Sequence, residues 1–184
     1  SLMVPGSVAL IRSGEQKIRN GDQFYPYRQH SDFFFLTGLN QRDAFFAFCP
    51  DHPNQAMREQ LFIRKPTPKS DLWTGPAPGP EESSALSGIA QVSWMEKQQS
   101  RLQAMLRNAN RVYADFQAEG VDPGSSVSLS PMMEQLRAVK EPEEIEAIRR
   151  AASITRSAFL RVLERTDPGM MEYQVEAEII AEFI

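Results

Sequence analysis

Short apolar runs set off by turn residues mark the first third of the chain. Ser7-Val8-Ala9-Leu10-Ile11 follows Pro5-Gly6 and reads as a buried strand entered from a turn. Asp32 to Leu36, Asp-Phe-Phe-Phe-Leu, is broken by Thr37-Gly38; Asp43 to Phe48 is ended by Pro50; Leu61-Phe62-Ile63 is closed by Pro66. Aromatic and branched residues in such short runs predict three neighbouring strands of one sheet. Residues 64–83 then hold Pro66, Pro68, Pro76, Pro78 and Pro80 with Trp73 among them. Proline fixes φ and removes a backbone donor, so this stretch is expected to be an ordered loop. Its prolines lack the PxxP spacing that polyproline-binding grooves read.

From Glu81 onward the pattern alternates. Glu96 to Arg107 predicts a helix, Arg111 to Phe116 a strand, and Gly120 to Ser126 a turn region, which together indicate an α/β layer. Beyond residue 129 the strand signals stop. Pro142 among Glu141, Glu143 and Glu144 predicts a helix start, because proline costs nothing at the first helical position and acidic groups suit the positive end of the helix dipole. Ile145, Ile148, Ala152, Thr155, Phe159 and Val162 trace one face of a long helix, with Glu146 and Arg150 spaced as a surface pair. Asp167-Pro168-Gly169 ends it. A second helix starts near Glu172 with Val175, Ile179 and Phe183 on one stripe, and it carries no stop signal. The expectation is a piece of a longer protein, divided into residues 3–125 and 126–184, whose uncovered stripe promotes self-association.

Composition narrows the class. The 184 residues are 41% hydrophobic and 24% charged, enough apolar material for a packed core. A formal charge of -4 with both signs interspersed argues against nucleic acid as a partner, since phosphate binding needs a concentrated basic face. The single cysteine, Cys49, excludes an intrachain disulfide or a thiolate metal cluster and reads as a small buried hydrophobe at a strand end. No apolar stretch is long enough to span a bilayer and no signal-type segment precedes the first strand, so no membrane partner and a cytoplasmic setting are expected. Ser1-Leu2 ahead of Met3 reads as an addition that plays no part in the expected fold.

Three segments carry a family resemblance. Tyr25-Pro26-Tyr27-Arg28-Gln29-His30-Ser31-Asp32-Phe33-Phe34-Phe35-Leu36-Thr37-Gly38 resembles the signature of the aminopeptidase P N-terminal domain. Asp71-Leu72-Trp73-Thr74-Gly75 is similar to that family's tryptophan-containing loop. Arg137 to Ile145, Ile148-Arg149-Arg150-Ala151-Ala152 and Pro168-Gly169-Met170 before Glu172-Tyr173 resemble the opening of the catalytic domain, a pattern shared with prolidases and creatinases. The resemblance implies an N-terminal α/β domain with a mixed β-sheet and flanking helices, followed by the first helices of a truncated pita-bread α+β domain. It implies a homo-oligomeric (dimeric or tetrameric) hydrolase of peptides with proline in second position. Two manganese ions, held by two Asp, two Glu and one His, would activate water and polarise the scissile carbonyl.

The chain departs from that pattern where chemistry matters. Its histidines, His30 and His52, have no acidic cluster at ligand spacing, so no catalytic or metal-ligating residue is assigned and an inactive piece without metal is expected. Glu141 stands where relatives often carry a Ser or Thr cap. Trp73 is the one substrate-binding candidate: by the resemblance it reaches a neighbouring subunit's active site, and packing under the proline loop is the equally weighted alternative. Arg28 and Asp32 are expected as a half-buried pair, Tyr25 and Tyr27 as packing residues with bonded tips, His30 as structural and His52 as a turn residue. Met132-Met133 and Met170-Met171 read as gap fillers in helix contacts. The competing functions are a prolidase and a non-catalytic peptidase-like module that binds proteins.

Overall fold

Alternate residues of a strand point to opposite faces, and the central strands here are apolar on both. In strand β1 (Ser7–Arg12), Val8 and Leu10 enter one core while Ala9 and Ile11 enter the other. The same division recurs in the strand that follows it in the main sheet, Phe45–Phe48, and in its neighbour, Glu59–Ile63. A sheet buried on both faces needs helices or loops on each side, which is why these runs read as continuous rather than alternating.

The computed structural model describes residues 2–68, 72 and 75–184. The chain divides into two compact units, Ser1–Glu134 and Gln135–Ile184. Numbered along the chain, the strands are β1, β2 (Ile18–Asn20), β3 (Gln23–Phe24), β4 (Phe45–Phe48), β5 (Glu59–Ile63), β6 (Val92–Trp94) and β7 (Arg111–Tyr113). The helices are α1 (Ser31–Thr37), α2 (Pro80–Ser87), α3 (Gln98–Leu106), α4 (Ser130–Ala138), α5 (Pro142–Arg165) and α6 (Glu172–Phe183). In the first unit a mixed five-stranded sheet runs β6-β5-β4-β1-β7. β4 pairs antiparallel with β1 and β5, while the outer strands β6 and β7 pair parallel with β5 and β1. β2 and β3 form a separate small hairpin.

One face of the sheet packs Phe33 of α1, Met133 of α4, Leu39 and Ile89 against Ile11, Phe46, Leu61 and Ile63. The other packs Leu102 and Met105 of α3 against Val8, Leu10, Phe45 and Phe62. Cys49 joins this second core, and burial raises its thiol pKa, as suits the inert reading of that residue. Asp115 fixes the approach to α4 by accepting from the Leu129 N–H at 3.1 Å and the Ser130 hydroxyl at 3.1 Å.

Several local expectations are corrected. The aromatic run Asp32–Leu36 is helix α1, not a strand: Asp32 sits in its first turn, and Gly38 closes it at φ 66, donating to the Phe34 carbonyl at 2.7 Å. The proline-rich stretch ends earlier than residue 83, because Pro80 opens α2 with Glu81 and Glu82 in the first turn. The helix expected from Glu96 begins as a 3₁₀ turn, Met95–Lys97, before α3, and the strand from Arg111 stops at Tyr113. Strands β2, β3 and β6 went unforeseen; each is two or three residues long.

The second unit contains the helix pair α5 and α6. Glu144 accepts from the Glu141 N–H at 2.9 Å, so the acidic residue three places into α5 satisfies a donor at the helix start. Arg161 donates to Glu178 at 2.7 Å, Arg165 adds a contact at 3.1 Å, and Arg161 reaches Glu182 at 3.5 Å. The Arg161 hydrogen bond foremost, with help from Arg165, holds the Glu178 pKa below the ordinary carboxylate range. A depressed folded pKa means that this stabilisation is present above the unfolded carboxylate value and is lost as pH falls through the folded one. Thermal melts followed by helix ellipticity are therefore expected to weaken for the native chain below about pH 4, with a flatter pH response for Glu178→Gln. An identical pH response in both proteins would contradict the assignment. Ile148, Phe159, Leu163 and Phe183 are exposed, and no helix among the described residues is long and apolar enough to cross a membrane.

Candidate functional site

The signature segment is organised by Gln29. Its side-chain oxygen accepts from the N–H of Gly14 at 2.6 Å, the N–H of His30 at 2.9 Å and the Tyr27 hydroxyl at 3.0 Å. Its amide nitrogen donates to the carbonyls of Leu39 at 3.0 Å and Gln41 at 2.9 Å. One side chain thus ties the segment after β1, the approach to α1 and the segment after α1. Gly14 has no room for a side chain: a Cβ there would lie 2.5 Å from the Arg28 carbonyl oxygen. Burial raises the Tyr27 hydroxyl pKa, with the Asp43 carboxylate acting in the same direction, so Tyr27 stays a neutral donor.

This tie shapes one wall of a cleft of about 390 Å³ whose described lining includes Tyr27, Leu39, Arg42, Arg64, Pro76 and Leu86. Arg64 follows directly on β5, and Gly75–Pro78 supplies a wall from the proline-rich stretch. Asp43 lies between two guanidinium groups, 3.6 Å from Arg64 and 3.9 Å from Arg42, and takes the left-handed conformation at φ 53. Asp tolerates that conformation better than most residues, which lets the chain turn there before entering β4.

The sequence-derived candidates fare unevenly. Trp73 lies outside the described residues, as do Asp71 and Thr74. Tyr27 has the bonded tip expected of it, whereas Tyr25 is exposed and stacks with Arg19 at 6.0 Å. Arg28 is exposed rather than buried or half-buried, and its backbone carbonyl is the group that a side chain at Gly14 would meet. His30 leads into α1 through its backbone: its carbonyl accepts from the Phe34 N–H at 3.0 Å. His52 closes its own turn, accepting at Nδ1 from the Asn54 N–H at 3.1 Å. Met133 is buried against the sheet and Met171 is exposed. Gln29, Arg42 and Arg64 were not singled out from sequence; the one available signal was a polar Gln set inside an aromatic signature. Among the described residues no three His, Cys, Asp or Glu side chains are grouped to hold a metal ion, so the manganese pair implied by resemblance does not fit these residues.

Comparison with known proteins places this architecture. Residues 1–113 match the family described as Aminopeptidase P, N-terminal domain. The Xaa-Pro aminopeptidase of Escherichia coli K12 is 31% identical over 204 aligned residues, covering 98% of this chain and 46% of that protein. The Haemophilus influenzae Xaa-Pro aminopeptidase is 29% identical, covering 98% of this chain and 44% of that protein. The low-pH structure of E. coli aminopeptidase P superposes with a TM-score of 0.84 at 29% identity, over 99% of this chain and 46% of that one. The Yersinia pestis proline aminopeptidase P II gives 0.81 at 28% identity, over 98% and 46%. The chain spans about half the length of these relatives. With its mixed sheet, its signature segment tied by Gln29 and this match across most of its length, the chain belongs to the aminopeptidase P N-terminal domain family.

Proposed function

We propose that the chain is the N-terminal part of a metal-dependent aminopeptidase that releases the first residue from peptides with proline in second position. The observation that carries this reading is the 31% identity to the E. coli Xaa-Pro aminopeptidase across 98% of the chain. Residues 3–125 act as the domain that shapes the substrate cleft and supports a homo-oligomer, and residues 126–184 open the catalytic domain. In the whole protein two manganese ions would supply an activated water and polarise the scissile carbonyl; the described residues of this chain are not grouped to hold them. Trp73 is the candidate contact for the substrate proline in a neighbouring subunit, since an aromatic face packs well on a pyrrolidine ring. The chain alone is inactive, and the whole protein works in the cytoplasm.

The test is hydrolysis of an Xaa-Pro tripeptide by the whole protein with manganese, beside a chelator-treated sample and residues 1–184 alone. Cleavage before proline by the untreated whole protein only is the expected result. A whole protein that is inert toward every Xaa-Pro peptide and binds no metal would overturn the reading.

A further inference from the structure

The cleft beside the proline-rich wall holds more guanidinium donors than its described residues fill. The Arg42 and Arg64 side chains are 26% and 34% exposed, and the ionic partner of both among the described residues is Asp43, at 3.9 and 3.6 Å. These separations are ion-pair distances, too long for hydrogen bonds, and Asp43 is itself 58% exposed. Among the described residues, two guanidinium groups facing one carboxylate leave one positive charge in excess. Each guanidinium presents planar N–H forks suited to a carboxylate or phosphate, and partial burial makes unfilled forks costly. Gln41, 8% exposed and part of the same lining, keeps a side-chain oxygen without a donor among the described residues. An unfilled acceptor therefore accompanies the unfilled donors. Leu39, Pro76, Pro78 and Leu86 add apolar wall.

We infer that this cleft binds the C-terminal carboxylate of a peptide. Arg42 and Arg64 take the carboxylate, Gln41 turns to accept the preceding amide N–H, and the proline and leucine wall packs on an apolar side chain. An inorganic anion fills only the first of these features.

The inference is tested by calorimetric titration of the 184-residue chain with N-acetyl-Leu-Leu, its C-terminal amide, sodium acetate and inorganic phosphate. The peptide acid is expected to bind at least about tenfold more tightly than the amide, acetate or phosphate, the loss expected when a bidentate charge-assisted contact is removed. Arg42→Gln and Arg64→Gln should each weaken the acid about tenfold without changing the circular dichroism spectrum. Arg64→Lys, which keeps the charge but loses the fork, should also weaken it and guards against a folding artefact. Equal binding of acid and amide overturns the inference. So does phosphate or acetate binding as tightly as the peptide acid, which would indicate a simple anion site, and so does absence of binding by the native chain.

Discussion

Phe33→Ala is expected to lower the unfolding free energy by about 4 kcal/mol, within the range for emptying a phenylalanine site in a close-packed core. Phe33 is 0% exposed and packs with Leu39, Phe46 and Leu61 on one face of the sheet. Its neighbours Phe34 and Phe35 are 50% and 36% exposed, so alanine at Phe34 should cost well under about 1 kcal/mol. Urea denaturation followed by tryptophan fluorescence reads both, since Trp94 packs against the same core. Phe35→Ala set beside Phe33→Ala also tests the conformation of the run. In a strand, positions 33 and 35 would share a face and cost alike; in a helix, Phe33 shares its face with Leu36 and Thr37. Thr37 confirms the helical register, donating its hydroxyl to the Phe33 carbonyl at 2.7 Å while it accepts from the Leu39 N–H at 3.2 Å.

Gln29→Leu is expected to cost about 3 kcal/mol, because it leaves the N–H groups of Gly14 and His30 and the carbonyl of Leu39 without their partner, and the Gln41 carbonyl with the longer 3.4 Å contact from the Tyr27 hydroxyl. The sum stays below the full cost of deeply buried orphans because the site is half-buried and water reaches part of it. Gln29→Glu separates the polar role from size. A carboxylate still accepts from Gly14 and His30 but confronts two carbonyl oxygens where the amide donated, so its pKa is raised in the folded state. That variant should therefore gain stability relative to native as pH falls through the raised value, because the protonated form donates again. Denaturation midpoints for Gln29→Glu that do not move with pH would show that the tie is not what orders the segment.

Much of the sheet was legible because its strands obey a local rule. Val8 to Ile11, Phe45 to Phe48 and Leu61 to Ile63 are apolar runs bounded by turn residues, and burial on both faces demands just that pattern. The start of α5 was legible for a similar reason: Pro142 and its flanking glutamates act within one turn. The run at Phe33 misled because three consecutive phenylalanines have no period of their own. Short strands such as β6, three residues long, leave too few positions for any pattern to show.

The site was less legible than the fold. Gln29 joins segments 15 and 12 residues away, and nothing local to it indicates that Gly14 and Gln41 will arrive as partners. Arg42 and Asp43 lead into β4 while Arg64 leaves β5, and only the antiparallel pairing of these strands brings Arg64 to Asp43. The sequence by itself determined the apolar strands, the helix starts and the order of the signature segments, since those depend on propensity, capping and burial over a few residues. Tertiary structure decided that the aromatic run coils, that one glutamine ties three segments and that two arginines share a cleft, because each depends on which distant groups fill the space and satisfy the hydrogen bonds around it.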